Sequence, residues 1–282
     1  MAAITRKTVL ITGCSEGGLG AALARSFEQA GFHVFATVRD PKKAASLRDE
    51  HIELLPLDVT APDTIHRCAE QVRSRTGGTL DVLVNNAGAM LMSPLLDASL
   101  AESRQVFEVN VWGMLATTQV FAPMLIRSQG GVILNICSIA GAVRMAWQGI
   151  YNSSKAAETW LLETLRIEME PLGVRVIAAM VGEVETNIYQ NGLRTLKLPA
   201  DSYYRSVEHI IADQAAGKLQ TKNERPEVTA RNLVRDVLSG RSGFTWRGGV
   251  AGTARLASWL LPTRFFVSGL MIPWGGNHAD KL

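Results

Sequence analysis

The chain has 282 residues, of which 47% are hydrophobic and 20% charged, and its formal net charge is +3. That length supports one large domain with a substantial core, and the weak, scattered positive charge excludes the field of a nucleic-acid binder. Cys14, Cys68 and Cys137 lack metal-ligand spacing and fit buried thiols in a reducing compartment, so no metal is expected. Behind Arg6-Lys7, the apolar run Thr8 to Ile11 is too short for a signal peptide, which favours a cytoplasmic protein.

Thr8 to Thr12 is a β-branched apolar run and predicts a buried strand. It enters Gly13-Cys14-Ser15-Glu16-Gly17-Gly18-Leu19-Gly20, after which Ala21 to Ala30 has helical spacing and stops at Gly31. Strand, glycine-rich turn and helix open a dinucleotide-binding βαβ unit. The glycines permit close backbone approach, and the helix N-terminus offers N–H groups to a pyrophosphate. Gly13, Ser15, Gly18, Leu19 and Gly20 are therefore cofactor-binding candidates. The same letters satisfy G-x-S-x-G, the nucleophile elbow of hydrolases. That serine should lie well inside the chain, and neither His209 nor His278 has a recognisable triad context.

His33 to Thr37 reads as the second strand, followed by Val38-Arg39-Asp40. An acidic residue here binds the ribose hydroxyls of NAD, whereas a basic one suits the 2′-phosphate of NADP. Arg39, assisted by Ser15, points to NADP(H); Glu16 and Asp40 oppose it by charge. Ile52 to Leu57 is the third strand, with Asp58-Val59 at the adenine edge and Thr60 expected to cap the next helix. Leu80 to Val84 is the fourth, running into Asn85-Asn86-Ala87-Gly88. Ser103 to Ile126 is a long helix carrying Asn110, and Gly131 to Ile136 is a strand delivering Cys137 and Ser138.

Ile150 to Glu170 has helical spacing, so Tyr151 and Lys155 lie one turn apart on one face. A free tyrosine has a pKa of about 10, and an ammonium within ~4–6 Å favours the phenolate. Such a pair is a usable acid/base near neutral pH, with a serine hydroxyl to hold the substrate oxygen. Val174 to Ala179 makes the sixth strand. Alternation of strands and helices predicts an α/β fold with a doubly wound parallel sheet, Rossmann-type, as a single domain over 1–282.

Gln190 to Leu198 reads as loop and Ser202 to Gly217 as helix, within a substrate insertion spanning 190–222. Met90, Leu91, Met92, Val143, Met145 and Trp147 are expected at the pocket mouth, which suits an apolar ketone or alcohol; ordinary core packing is the competing reading. Arg231 to Leu238 is a further helix and Phe244 to Trp246 the last strand. The extension 250–282 is apolar as far as Trp274, but Arg255, Pro262 and Arg264 prevent it from spanning a bilayer as one helix. A lid or subunit interface ranks ahead of peripheral membrane contact.

These motifs together resemble the short-chain dehydrogenase/reductase family over residues 5–250. The resemblance rests on the Thr12-Gly13…Gly18-Leu19-Gly20 turn, Asp58-Val59, Asn85-Asn86-Ala87-Gly88, Asn110, Ser138 and Tyr151…Lys155. It implies that Tyr151 exchanges a proton with the substrate oxygen and that Lys155 binds the nicotinamide ribose and lowers the tyrosine pKa. It further implies that Ser138 orients substrate and Asn110 supports a water-mediated proton relay. Asp58, Val59, Asn86, Ala87 and Gly88 would line the adenosine side, with Val184 and Thr186 beside the nicotinamide. The finer resemblance is to the subgroup that includes NADPH-dependent 1-acyl-dihydroxyacetone-phosphate reductases and enzymes of secondary metabolism.

Two features depart from the family pattern. The glycine turn is one residue longer, and Val181-Gly182 replaces the usual Pro-Gly before Glu183-Val184-Glu185-Thr186. Glu183 and Glu185 are read as solvated loop carboxylates or as substrate-facing groups. The expected function is NADP(H)-dependent interconversion of a carbonyl and an alcohol on a small molecule, in a homo-oligomer, dimer or tetramer, built through the helices carrying Asn110 and Tyr151. Non-redox isomerisation or cyclisation on the same fold is the alternative, and a cofactor-sensing module is the non-enzymatic one.

Overall fold

A computed structural model describes residues 4–48 and 52–260, with the side chains of Asn191, Arg194, Thr195 and Trp259 not described. Its strands are β1 (Thr8–Ile11), β2 (His33–Val38), β3 (Glu53–Pro56), β4 (Val82–Asn85), β5 (Val132–Ser138), β6 (Arg175–Val181) and β7 (Gly243–Arg247). They form one sheet in the order β3-β2-β1-β4-β5-β6-β7, and every neighbouring pair is parallel. The chain runs outward from β1 to β3, then returns to the other side at β4. That reversal leaves a crevice beyond the carboxyl ends of β1 and β4, where doubly wound sheets bind ligands.

The helices are α1 (Leu19–Gln29), α2 (Ala45–Arg48), α3 (Pro62–Thr76), α4 (Leu100–Phe107), α5 (Met114–Arg127), α6 (Gly149–Met169), α7 (Ile188–Thr195), α8 (Glu208–Ala215), α9 (Pro226–Leu238) and α10 (Ala251–Leu260). Strand side chains alternate between two cores, because successive residues point to opposite faces. Val9 and Ile11 join Leu23 and Phe27 of α1 and Leu233 of α9. Leu10 joins Ile65 of α3, Phe121 of α5 and Leu162 of α6. Each fully buried Leu or Phe contributes about 1.5–3 kcal/mol, so both layers of helices are held firmly to the sheet.

Strand positions agree with the sequence reading to within about two residues, the usual uncertainty of element ends. Four local expectations are corrected. Thr60 does not cap α3: the cap position is Ala61, and the Thr60 hydroxyl donates to Asp58 Oδ1 at 2.8 Å. Gln190 to Leu198 is largely helical, as α7, rather than loop. Ser202 to Gly217 is shorter than expected, a 3-10 turn at Arg205–Val207 followed by α8. The helix expected from Arg231 starts at Pro226, whose fixed φ suits a first helical position.

Asp236 at the end of α9 fastens that helix to β7. Its carboxylate accepts from Thr245 Oγ1 at 2.7 Å, Arg247 Nε at 2.8 Å, Arg247 Nη2 at 2.6 Å and Arg241 Nε at 3.1 Å. Burial opposes ionisation, but the bonds to Arg247 and Thr245 outweigh it and hold the carboxyl below the usual range. Asp236→Asn should therefore lower unfolding stability at pH 7 by about 3 kcal/mol, the low end for breaking a buried pair, because both arginines can regain water. The folded pKa is depressed, so this stabilisation is present above the unfolded carboxylate's pKa and lost as pH falls through the folded value. Urea unfolding at pH 7 and pH 3 reads both effects; an unchanged midpoint at pH 7 would refute the role given to Asp236.

Candidate active site

Beyond the strand ends lies a cleft of about 1220 Å³. One half of it is built from the glycine turn. The Thr12 hydroxyl accepts from the backbone N–H groups of Asn86 (2.9 Å) and Ala87 (3.0 Å). The Asn86 amide in turn donates to Thr12 O at 2.8 Å and Gly13 O at 3.0 Å. This clamp needs bare backbone. Gly13 has φ +73°, and a Cβ on Gly20 would stand 2.4 Å from Gly13 O. Gly18 caps α1 without any side-chain hydrogen bond, leaving the first N–H groups of that helix for an anion. Gly13, Ser15, Gly18 and Leu19 line the cleft, whereas Gly20 supports it from behind.

At the end of β2 the cleft is lined by Arg39 and by Lys43, both exposed. Lys43 was not singled out in the sequence, because it lies beyond Asp40-Pro41. The 3-10 turn Pro41–Ala44 brings it back, and its carbonyl accepts from Glu16 N–H at 2.8 Å. The two opposing acids are engaged elsewhere. Asp40 caps that turn by accepting from Lys42 N–H at 3.0 Å and does not line the cleft. Glu16 does line it, but Oε1 accepts from the Ser46 amide at 3.0 Å, which holds its carboxyl below the ordinary range. Asp58, Val59, Asn86, Ala87, Gly88, Val184 and Thr186 all line the same cleft.

The other half of the cleft holds Ser138, Tyr151 and Lys155. Ser138 ends β5 and accepts the Ala140 N–H at 3.1 Å, which leaves its own hydroxyl hydrogen free to donate. Gly141 lets this turn press onto α6: a Cβ there would stand 2.9 Å from the carbonyl of Lys155. Tyr151 is in the first turn of α6 and is 6% exposed. Lys155 reaches under it to donate to Ile136 O at 2.9 Å. Burial would push the lysine pKa down, but the charges of Glu158 and Tyr151 reverse this, and the net shift is upward. The ammonium form is therefore kept.

Asn110 occupies a different place from the other three. It is fully buried in a π-helical segment, Glu108–Gly113, between α4 and α5, and does not line the cleft. Its side chain accepts from Ala89 N–H (2.7 Å) and donates to Ala89 O (2.9 Å) and Ser154 Oγ (2.9 Å). It therefore acts as a positioning residue for the Asn86–Ala89 loop. Gly113, in the same segment, admits the close approach of Val59, which a Cβ would meet at 2.9 Å.

The cleft wall around Tyr151 is largely apolar. Met90, Val143 and Met145 line it as expected, but Leu91, Met92 and Trp147 do not: they are buried in the core. Ile188 and Tyr189 of α7, together with Leu219, were missed because no period in that region marks a cleft-facing side. Burial pushes the Tyr189 phenol pKa up and the charges of Tyr151 and Glu183 push the same way, so it stays neutral and is no second acid/base. Glu183 lines the cleft, yet Oε2 accepts from Thr221 N–H (3.1 Å) and Lys222 N–H (2.7 Å), pinning the segment before α9. Glu185 is exposed. Val250, Thr253, Ala254 and Ala257, from α10 and the residue before it, border the cleft; the rest of the apolar stretch, 261–282, lies outside the described residues.

Two other readings lose their chemistry here. No histidine lines the cleft, so Ser15 has no triad partner there among the described residues. Cys14, Cys68 and Cys137 are free and buried. Burial pushes the Cys14 and Cys68 thiols up to about 12, which makes them packing groups rather than nucleophiles. Among the described residues, no group of acids, histidines and cysteines could hold a metal.

Comparison with known proteins agrees with this architecture. The family model described as short chain dehydrogenase matches residues 7–196. A short-chain dehydrogenase of Penicillium ochrochloron is 48% identical over 258 residues, 91% of this chain and 94% of that protein. The NADPH-dependent 1-acyldihydroxyacetone phosphate reductase of Schizosaccharomyces pombe is 35% identical over 272 residues, 92% of this chain and 91% of that one. A short-chain dehydrogenase from Streptomyces avermitilis of known structure superimposes with a TM-score of 0.78 at 27% identity, covering 95% of this chain and 97% of the other.

Proposed function

From the premise that the chain belongs to the short-chain dehydrogenase family, oxidoreductases that use a nicotinamide cofactor, we propose that it is an NADP(H)-dependent reductase interconverting a carbonyl and an alcohol on a largely apolar small molecule. One observation carries the reading: a single cleft has Ser138, Tyr151 and Lys155 at one end and Arg39 and Lys43 at the other. The free N–H groups of α1 lie between, where a pyrophosphate would bridge the two. The NADPH-dependent relative is a further support for the phosphate reading.

In the reductive direction the Ser138 hydroxyl donates to the substrate oxygen and holds it beside Tyr151. A nicotinamide held beside Tyr151 by Lys155, Val184 and Thr186 would supply the hydride that the carbonyl carbon takes up. Tyr151 gives its proton to the oxygen, and the adjacent ammonium of Lys155 stabilises the phenolate left behind. Met90, Val143, Met145 and Ile188 exclude water around the rest of the substrate, which favours a ketone with an apolar body.

Isomerisation or cyclisation needed Glu183 or Glu185 as an extra acid/base, and Glu183 is occupied by two backbone amides. The test is a screen of hydrophobic ketones with NADPH and NADH, with the product weighed by mass spectrometry. A gain of two hydrogens at the expense of NADPH supports the reading; a product of unchanged mass refutes it.

We also propose that two copies associate through the outer faces of the helices carrying Asn110 and Tyr151. Trp112 is 53% exposed and Trp160 is 77% exposed there, more apolar area than a solvated surface needs. Trp160→Lys should shift the mass measured by light scattering from oligomer to monomer. A wild-type protein that is already monomeric would rule this out.

A further inference from the structure

Lys155 is 4% exposed, and it meets two groups on its buried side. One N–H goes to Ile136 O at 2.9 Å, and Glu158 Oε2 stands 2.7 Å from Nζ as an ion pair without hydrogen-bond directionality. An ammonium has three N–H bonds, so this arrangement leaves capacity for the cleft that Lys155 lines. Glu158, one turn beyond Lys155 on α6, is 2% exposed; burial pushes its carboxyl pKa up, while the Lys155 ammonium and the Asn135 amide, which donates to Oε1 from β5, favour the anion against that. A buried ion pair is seldom worth more to stability than apolar packing, so stability does not account for an acid at this point.

The titratable groups facing the pair are few. Tyr151 lies on the same helix, and Cys137 on β5 is a buried thiol pushed up by burial and then by Glu158. The π-helical segment packed against α6 presents neutral Asn110, and the turn after β5 presents neutral Ser138. The field at Tyr151 is thus set by Lys155 and whatever offsets it. We propose that Glu158 is a positioning residue that holds the Lys155 ammonium at the cleft wall and offsets part of its field at Tyr151. This rests on the reductase reading of the same site.

The sign of the effect follows from charge. Without the Glu158 anion, the Tyr151 proton leaves more readily and the desolvated Lys155 gives up its own proton at lower pH. Alcohol oxidation needs phenolate and ammonium together, so both limbs of its pH profile move to lower pH. In Glu158→Gln, which keeps the shape, each limb should fall by about one unit. Lysine 13Cε NMR, with Lys155 assigned by its loss in Lys155→Met, should show its titration falling by a similar amount or more.

A folded Glu158→Gln protein with both limbs and the Lys155 titration within about 0.3 units of wild type would overturn the proposal. If that variant does not fold, Glu158→Met is judged by the same criteria. If neither folds, Glu158 serves the core rather than the site, and the proposal falls. A wild-type protein that turns over no carbonyl or alcohol counts against the reductase reading alone, because the Lys155 titration still decides the role of Glu158.

Discussion

Tyr151→Phe will cut carbonyl turnover by about 10³-fold or more while leaving the Kd for NADPH within about twofold of wild type. The substitution removes one oxygen and no packing: the ring remains among Met90, Met92 and Ala140, where Tyr151 already sits 6% exposed. What is lost, among the described residues, is the only cleft hydroxyl on the same helical face as Lys155. Tyr189 cannot replace it, since burial and neighbouring charge hold that phenol neutral. Steady-state kinetics with a fluorescence titration separates the two quantities. Retention of more than about a tenth of the turnover would overturn the mechanism, and a parallel loss of binding would show that the ring's place, rather than its proton, had been disturbed.

The double substitution Arg39→Ala with Lys43→Ala will weaken NADPH binding by about 100-fold and NADH binding by less than about threefold. A charge-assisted contact to a phosphate contributes about 1.5–3 kcal/mol, and exposure of both side chains argues for the low end, so two together approach 3 kcal/mol. Both residues reach the cleft beside Ser15, whereas Asp40 is turned away to its own 3-10 turn. The effect must shrink with added salt, because exposed charges are screened over about 10 Å at 0.1 M. Titrations at low and high ionic strength check it. Equal losses for the two nucleotides would assign Arg39 and Lys43 to the loop's fold and remove the basis for NADP(H).

The make-up of the candidate site was legible wherever it depends on local order along the chain. Tyr151 and Lys155 are joined by one helical turn, and Ser138 by its place at the end of a strand. The glycine turn follows β1 directly, and bare backbone there has few uses besides close approach. Asn110 was found by its motif, but nothing local shows that its amide is bonded to Ala89 and Ser154. Glu158 was overlooked for the same reason. On a helical wheel it is one more acid on a mixed helix, and only the arrival of β5 above it turns it into a buried counter-ion.

By itself, then, the sequence determined the order of strands and helices and the doubly wound parallel sheet, and it put Ser138 at a strand end and Tyr151 and Lys155 on one helical face. Those follow from hydrophobic periodicity, turn residues and contacts within a few positions of one another. Tertiary structure alone decided which charges act. Glu16, Asp40 and Glu183 are acids of equal standing in the sequence, and each is committed to a backbone amide brought to it by folding. Arg39 and Lys43 are left facing the cleft. Carboxylates take whichever N–H groups the fold sets nearby, and those donors come from turns and segments up to 39 positions away in the chain.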